Sequence, residues 1–370
     1  MAVLTSERLD ALREERLQRL RAHRASGRKV IGWIAGFTPV EVIRAAGAEP
    51  VRLLRGGYQA EARGDRYLRS DACPLCLSSM GAFDIDPLYR LVDAVAAVNT
   101  CDMLRRLPES IHRHFGLPVY QLYMPRTSEA LPHRVAEFRR QLEWFAGELA
   151  AFTGNEVGPK TLAGGIREAN RVRGALRGLD ELCKGDNPVL SGTDILDAVA
   201  FATTLDPEHA VSLIGGIHEM ASSVEPTPGS RPRLMLGGSE VAEQDRWLVE
   251  TIETKADIVT DMLDTGTSWY EEDCPEDGEP MDALARFYFA RTGMMRRPND
   301  RAYERARGLV KENRVKAVVW KTLLYCDPWN FEAVRLREEV GVPVLHIDGN
   351  YSSENREQLR TRVEAFLENL

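Results

Sequence analysis

No stretch of this 370-residue chain stays apolar for the length of a membrane-spanning helix, so no membrane partner is expected. A basic surplus is missing too: 48 Lys and Arg stand against 56 Asp and Glu, the net charge is −8, and the basic residues are scattered among acidic ones. The electrostatic footprint that a phosphate backbone requires is absent, and nucleic acid is not expected as a partner. The seven histidines show no H-E-x-x-H or comparable spacing, which disfavours hydrolytic zinc chemistry. Cysteine is sparse, with six residues and none of the dense spacing of a disulfide framework. That pattern suggests a reducing compartment, with the thiols either inert and buried or serving as metal ligands. The N-terminal "TSERLDALREERLQRLRAHR" is too charged for a secretory apolar region, and a cytoplasmic protein is expected.

What is present is enough apolar material, 44% of residues, to bury two cores in a chain of this length. The N-terminal segment reads as an amphipathic helix with Leu9, Leu12, Leu17 and Leu20 on its buried side. Short β-rich runs bounded by Gly or Pro follow: "VIGWIAG" (Val30–Gly36), "PVRLLRG" (Pro50–Gly56), "AVAAVNTC" (Ala94–Cys101) and "PVYQLYMP" (Pro118–Pro125). Helix-length segments separate them, among them "TPVEVIRAAG", read with Thr38 as N-cap, Pro39 in the first turn and Gly47 at the end. Strand alternating with helix predicts a parallel sheet covered on both faces.

From about residue 131 the pattern becomes helical. Val135, Phe138, Leu142, Phe145, Leu149 and Phe152 recur at three- and four-residue steps as one apolar stripe. The breaker-rich "EPTPGSRPR" ends this region, after which α/β alternation resumes with "RLMLGG", "ADIVTDML", "VKAVVWKTLLYC" and "PVLHIDG". The expected fold class is α/β: two Rossmann- or flavodoxin-like parallel-sheet domains related as weak repeats, with a helical subdomain between them. The expected divisions are an N-terminal helix over residues 1–28, a first α/β domain over 29–130, a helical subdomain over 131–230 and a second α/β domain over 231–370.

The repeat is most visible around two cysteines. "CDMLRRLPESIHRHFGLPVYQLYM" and "CDPWNFEAVRLREEVGVPVLHID" each run from a Cys-Asp pair through a helix to a Gly and a further strand, and Cys101–Gly116 and Cys326–Gly341 have the same 15-residue spacing. Both pairs are expected at the carboxyl end of a strand, where open α/β sheets place ligands. A helix N-terminus beside such a thiol favours its thiolate. A lone cysteine usually reads as a small buried hydrophobe, but two equivalent strand ends with the same pair point to ligation or catalysis. Cys73 and Cys76, in "DACPLCLSSMGAF", have redox-motif spacing that also resembles half of a zinc site, yet no second C-x-x-C exists. Convergence of Cys73, Cys101 and Cys326 uses more of the sequence, and soft thiolates from separate positions select iron–sulfur clusters or zinc.

Of the remaining candidates, Ser78 and Ser79 read either as hydrogen-bond donors at the site or as a helix cap. Lys321 and Tyr325 lie on the strand leading to Cys326, with no role assigned. His112 and His114 read as solvated surface, Cys183 as structural, and Cys274 as part of an exposed acidic loop.

The stretches "GWIAGFTPVEVIRAAGAEPVRL", "CPLCLSSMG", "VNTCDMLRRL", "RLMLGGSEV", "DIVTDMLDTGTSWY", "LLYCDPWNFE" and "YSSENREQLRTRVEAFLE" together resemble the 2-hydroxyacyl-CoA dehydratase and benzoyl-CoA reductase family, also called the 2-hydroxyglutaryl-CoA dehydratase component D family. The resemblance implies a 4Fe-4S cluster held by Cys73, Cys101 and Cys326, with one iron free of protein ligands. It implies an ATP-hydrolysing iron–sulfur activator that supplies one low-potential electron, an acyl-CoA substrate that accepts it as a ketyl radical or in an aromatic ring, and pairing with a related sister subunit or a second copy. Gly349-Asn350 and Arg356-Glu357 depart from the family pattern in the last motif, which bears on substrate identity. Cys76 is a second departure. Packed behind the loop, it leaves the open-site enzyme; turned inward, it implies a fully ligated electron carrier or a double-cubane reductase of small molecules.

Overall fold

The computed structural model describes residues 4–224, 231–352 and 356–370. Two four-stranded sheets organise it, both entirely parallel. The first contains β1 (Val30–Ile34), β2 (Glu49–Arg52), β3 (Ala94–Val98) and β4 (Val119–Leu122) in the order β2-β1-β3-β4. The second contains β5 (Arg233–Gly238), β6 (Asp257–Leu263), β7 (Ala317–Leu323) and β8 (Val344–Gly349) in the order β6-β5-β7-β8. The two orders are the same when the strands are renumbered within each sheet, so the weak internal repeat is a repeat of topology. β1, β3, β5 and β7 are buried along their length apart from Arg233, as expected of central parallel strands with helices on both faces.

In each sheet the chain leaves the first strand towards one side and returns to the other, which creates a switch point between β1 and β3 and another between β5 and β7. The two switch points face each other: the Gly36 N–H, just past β1, lies 3.4 Å from Oδ2 of Asp264, just past β6. Helices Pro132–Thr153, Pro159–Lys184, Gly192–Ala202 and Pro207–Ser222 lie between the sheets in sequence. They bury the apolar stripe Phe138, Leu142, Phe145 and Leu149 against one face of the first sheet, including Ile31 and Trp33. Residues 225–230, within the breaker segment, and 353–355, within the last family motif, lie outside the described residues.

One helix start differs from expectation. Thr38 does not cap the helix Val40–Ala45; its hydroxyl donates back to the Ile34 carbonyl at 2.8 Å, and Pro39 occupies the N-cap position without a side-chain bond. The hydroxyl has chosen the carbonyl left free at the end of β1, a local competition that a capping pattern does not resolve.

Candidate metal centre

Each of the three expected ligands is the N-cap residue of a helix. Cys73 precedes Pro74–Ile85, Cys101 precedes Asp102–Phe115, and Cys326 precedes the short helix Asp327–Asn330. Cys101 follows β3 and Cys326 follows β7, so the repeat places them at equivalent ends of equivalent strands. Gly116 and Gly341 occupy equivalent places after the two repeated helices, at φ of +67° and +68°, a conformation glycine adopts at little cost. Cys73 comes from the connection between β2 and β3.

The three converge. Cys73 and Cys76 share an apolar cluster with Leu323 and Tyr351 of the second lobe, and Cys101 and Cys326 pack against it. The ionisation of Cys326 responds to Cys73, Cys101 and Glu240, and that of Cys101 to Cys73 and Glu240, which places the four side chains in one electrostatic neighbourhood. Cys183 and Cys274 lie elsewhere, each buried in the core formed by the helical region. Cys274 itself is therefore not exposed: its N–H donates to the Asn170 side chain at 3.0 Å, while Glu272, Asp273, Glu276 and Asp277 of the acidic loop around it stay exposed.

Helix N-termini do not by themselves make these thiols acidic. Burial pushes the Cys101 thiol up to about 11 despite the Leu104 N–H donating to its sulfur at 3.3 Å, and burial likewise raises Cys326. Only Cys73 is lowered, first by the neighbouring Cys76 thiol and then by the N–H groups of Leu75 and Cys76 and the charge of Lys321, against an opposing contribution from burial. Cys76 is raised well above the ordinary range, chiefly through its interaction with Cys73. Desolvation outweighs the dipole at Cys101 and Cys326, where no cation is among the main influences on the thiol. A positively charged centre supplies a counter-charge and draws the protons off. The donor set thus fits an iron–sulfur group: the thiols are soft, Cys73 is buried and Cys101 and Cys326 half-buried, and they come from three separate elements. Among the described residues, no three His, Cys, Asp or Glu side chains are grouped to hold a single metal ion. One tetrahedral ion would need its sulfurs within roughly 4 Å of each other.

Around the thiols stand residues whose roles pattern alone did not show. Glu240 ends the "GGSE" turn after β5. Although part of its surface stays accessible, burial is the main cause that pushes its carboxyl up to about 8, with Asp264 and Cys73 adding to the rise and Arg52 and Lys321 opposing it. The turn depends on Gly238 at φ +123°, where a Cβ would lie 1.8 Å from the Lys321 carbonyl. Lys321 is buried, reaches Asp245 at 3.0 Å and the Glu240 carbonyl at 2.7 Å, and lies over the Tyr351 ring. Tyr325 instead points outward and is 56% exposed. Ser78 and Ser79 are not caps: both lie inside the helix begun by Cys73 and are fully buried, Ser78 with no hydroxyl partner among the described residues and Ser79 beside the Tyr89 hydroxyl. His112 and His114 are on the surface. The signal for Glu240 and Lys321 was present as two glycines and an inward-facing lysine, but neither carries meaning until the sheets are paired.

A family model described as 2-hydroxyglutaryl-CoA dehydratase, D-component, matches residues 35–370. The chain belongs to this family. It is 28% identical over 357 residues to a protein of Escherichia coli strain K12 named as a dehydratase subunit, YjiM, covering 93% of this chain and 92% of the relative. It is 22% identical to the (R)-phenyllactyl-CoA dehydratase beta subunit of Clostridium sporogenes, covering 93% and 92%, and 22% identical to a benzoyl-CoA reductase subunit of Thauera aromatica, covering 93% and 91%. The D-component match spans the second sheet, the three strands of the first sheet that follow β1, and all six cysteines. Among the described residues, no helix of this D-component protein is long and apolar enough to cross a membrane.

Proposed function

We propose that Cys73, Cys101 and Cys326 hold a 4Fe-4S cluster between the two lobes, and that the chain is the iron–sulfur subunit of a 2-hydroxyacyl-CoA dehydratase or benzoyl-CoA reductase type of enzyme. The observation that carries this reading is the shared neighbourhood of three thiols drawn from both lobes, with Cys183 and Cys274 excluded from it. When bound, the cluster supplies one low-potential electron for reduction or dehydration of an acyl-CoA thioester. The chain's own residues present the thiols from helix N-termini, and Tyr351 and Leu323 cover the site with apolar surface. Glu240, pushed up to about 8 mainly by burial, holds a proton on its carboxyl near neutrality, and Arg52 and Lys321 limit that rise. The relatives are named as subunits, which supports a paired assembly with a sister subunit or a second copy. An ATP-hydrolysing iron–sulfur activator is the electron source the reading requires, and a cytoplasmic setting suits oxygen-sensitive thiolate ligation.

A second reading rests on Cys76, whose thiol neighbours that of Cys73 one helical turn on. Ligation by Cys76 would make the chain an electron relay or a double-cubane-type ATP-dependent reductase of small molecules. Anaerobic purification followed by iron and sulfide analysis separates the two. Cluster loss on Cys→Ala change at positions 73, 101 and 326, with retention at 76, is expected for the open-site enzyme. A colourless chain after anaerobic reconstitution rules out both.

A further inference from the structure

Away from the cysteines, a cavity offering about 220 Å³ to water-sized molecules opens where the N-terminal helix Ser6–Ala25, the end of β2, the helix Gly192–Ala202 and the turn after β5 meet. By volume it holds about seven waters at liquid density, enough for a small organic molecule. Its charge contrasts with that of the chain. Arg13, Arg16, Arg52 and Arg55 line it against two carboxylates, Asp86 and Glu243, whereas the whole protein carries −8.

Those carboxylates satisfy only part of the positive charge. Arg13 pairs with Asp10 and Glu243, and Arg55 pairs with Asp86 at 3.2 Å. Arg16 instead reaches the Thr204 hydroxyl at 3.2 Å, and Arg52 the Asp264 carbonyl at 3.1 Å. Among the described residues, neither has a carboxylate at ion-pair distance. The Nε atoms of Arg16 and Arg55 are inaccessible to solvent and have no acceptor. Tyr89, 2% exposed, lines the same cavity, with its hydroxyl beside that of Ser79. Buried donors without acceptors are costly and uncommon. Desolvation holds both Arg16 and Arg52 below the usual guanidinium range, the direction expected of cations awaiting an anion. The rest of the lining is apolar, with Leu17, Leu54, Leu88 and Val241 among it.

We propose that this cavity binds a small organic oxyanion, its carboxylate or phosphate held by Arg16, Arg52 and Arg55 with the Tyr89 hydroxyl, and its hydrocarbon part lying on the leucines. No cysteine is among the lining residues, but the site adjoins the thiols: Glu240 shares the electrostatic neighbourhood of the cysteines, and the next residue, Val241, lines the cavity. Arg52 belongs to both, since its charge also opposes the rise at Glu240.

The test is calorimetric titration of the full chain, prepared anaerobically, with hexanoate, monohexyl phosphate and neutral 1-hexanol at matched ionic strength. Saturable binding of at least one anion, ten or more times tighter than hexanol, is expected, and the tighter anion identifies the head group. The double variant Arg16→Gln with Arg55→Gln is expected to weaken it at least tenfold, in keeping with the loss of charge-assisted hydrogen bonds. Tyr89→Phe, which removes one hydroxyl and no charge, is expected to weaken it severalfold with an unchanged circular dichroism spectrum, and it serves if the double variant does not fold. Binding is expected to persist in a chain with Cys→Ala at 73, 101 and 326, so failure of the cluster reading leaves this one standing. Equal affinity for hexanol, unchanged affinity in a folded arginine variant, or no saturable binding of either anion overturns the proposal.

Discussion

The Lys321 ammonium donates to the backbone carbonyl of Glu240 at 2.7 Å and to the Asp245 carboxylate at 3.0 Å. One residue of β7 therefore fastens the turn that follows its neighbour β5, and with it the carboxyl beside the cysteines. Both side chains of the Lys321–Asp245 pair are less than a tenth exposed. Removing one partner leaves a buried charge uncompensated, so Lys321→Met is expected to lower unfolding free energy in urea by roughly 3–5 kcal/mol. Lys321→Arg, which keeps the charge, is expected to lose less. Equal losses in the two variants would show that packing, not charge, governs this position.

Gly238 makes the same turn possible from the other strand. A methyl group there meets the Lys321 carbonyl at 1.8 Å and must adopt φ +123°. Gly238→Ala is expected to cost at least about 3 kcal/mol. At Gly349, where nothing lies within 4 Å of the added carbon, the alanine change is expected within about 0.5 kcal/mol of neutral. Thermal unfolding of the two variants side by side decides the matter.

A buried ion pair ties the helical region to the first sheet. Arg173 and Glu41 are both fully buried and joined at 2.5 Å, and the Tyr288 hydroxyl donates to the other Glu41 oxygen at 2.7 Å. Arg173→Met alone is expected to destabilise by roughly 3–5 kcal/mol, because it removes one partner of a buried ion pair and leaves the other without it in an apolar core. Adding Glu41→Leu should recover part of that loss, giving a coupling energy in a double-mutant cycle. Strict additivity would contradict it.

Glu253 provides a pH signal that does not involve Cys73, Cys101 or Cys326. Its carboxylate accepts from the Gly192 N–H at 2.6 Å at the start of helix Gly192–Ala202, yet burial, the largest cause, pushes it up to about 7. A raised folded-state value means the neutral carboxyl favours the fold. That contribution is complete below the ordinary glutamate range and is lost as pH rises through about 7. Glu253→Gln is therefore expected to flatten the decline in stability between about pH 4.5 and 7, a difference on the order of 2 kcal/mol after allowing for solvent contact. Chemical denaturation across that range measures the slope, and identical slopes would place the titration elsewhere.

Much of this molecule is legible in its residues alone. The β-rich runs around Val30, Ala94, Arg233 and Ala317 became central strands because continuous apolar runs bounded by Gly or Pro have few other uses. The equal spacing from Cys101 to Gly116 and from Cys326 to Gly341 reported the repeated strand-and-helix unit, since both glycines end their helices in the left-handed region. Exposure is harder to read. Cys274 sits among acidic residues, but Asn170, more than a hundred positions earlier, bonds its backbone and draws it inside. Ser78 and Ser79 resemble caps by composition, although Cys73 takes the cap position a turn earlier.

The sequence alone determined the class of fold, the pairing of equivalent strand ends and the family, because periodicity, punctuation and motif spacing are local properties that survive without a third dimension. Tertiary structure decided that Cys183 and Cys274 lie apart from the other thiols, that burial prevails over helix dipoles at Cys101 and Cys326, and that Glu240, Lys321 and the arginines of the adjoining cavity share their surroundings with distant residues. Those outcomes depend on desolvation and on charges brought together from both lobes, and neither quantity exists until the chain has folded.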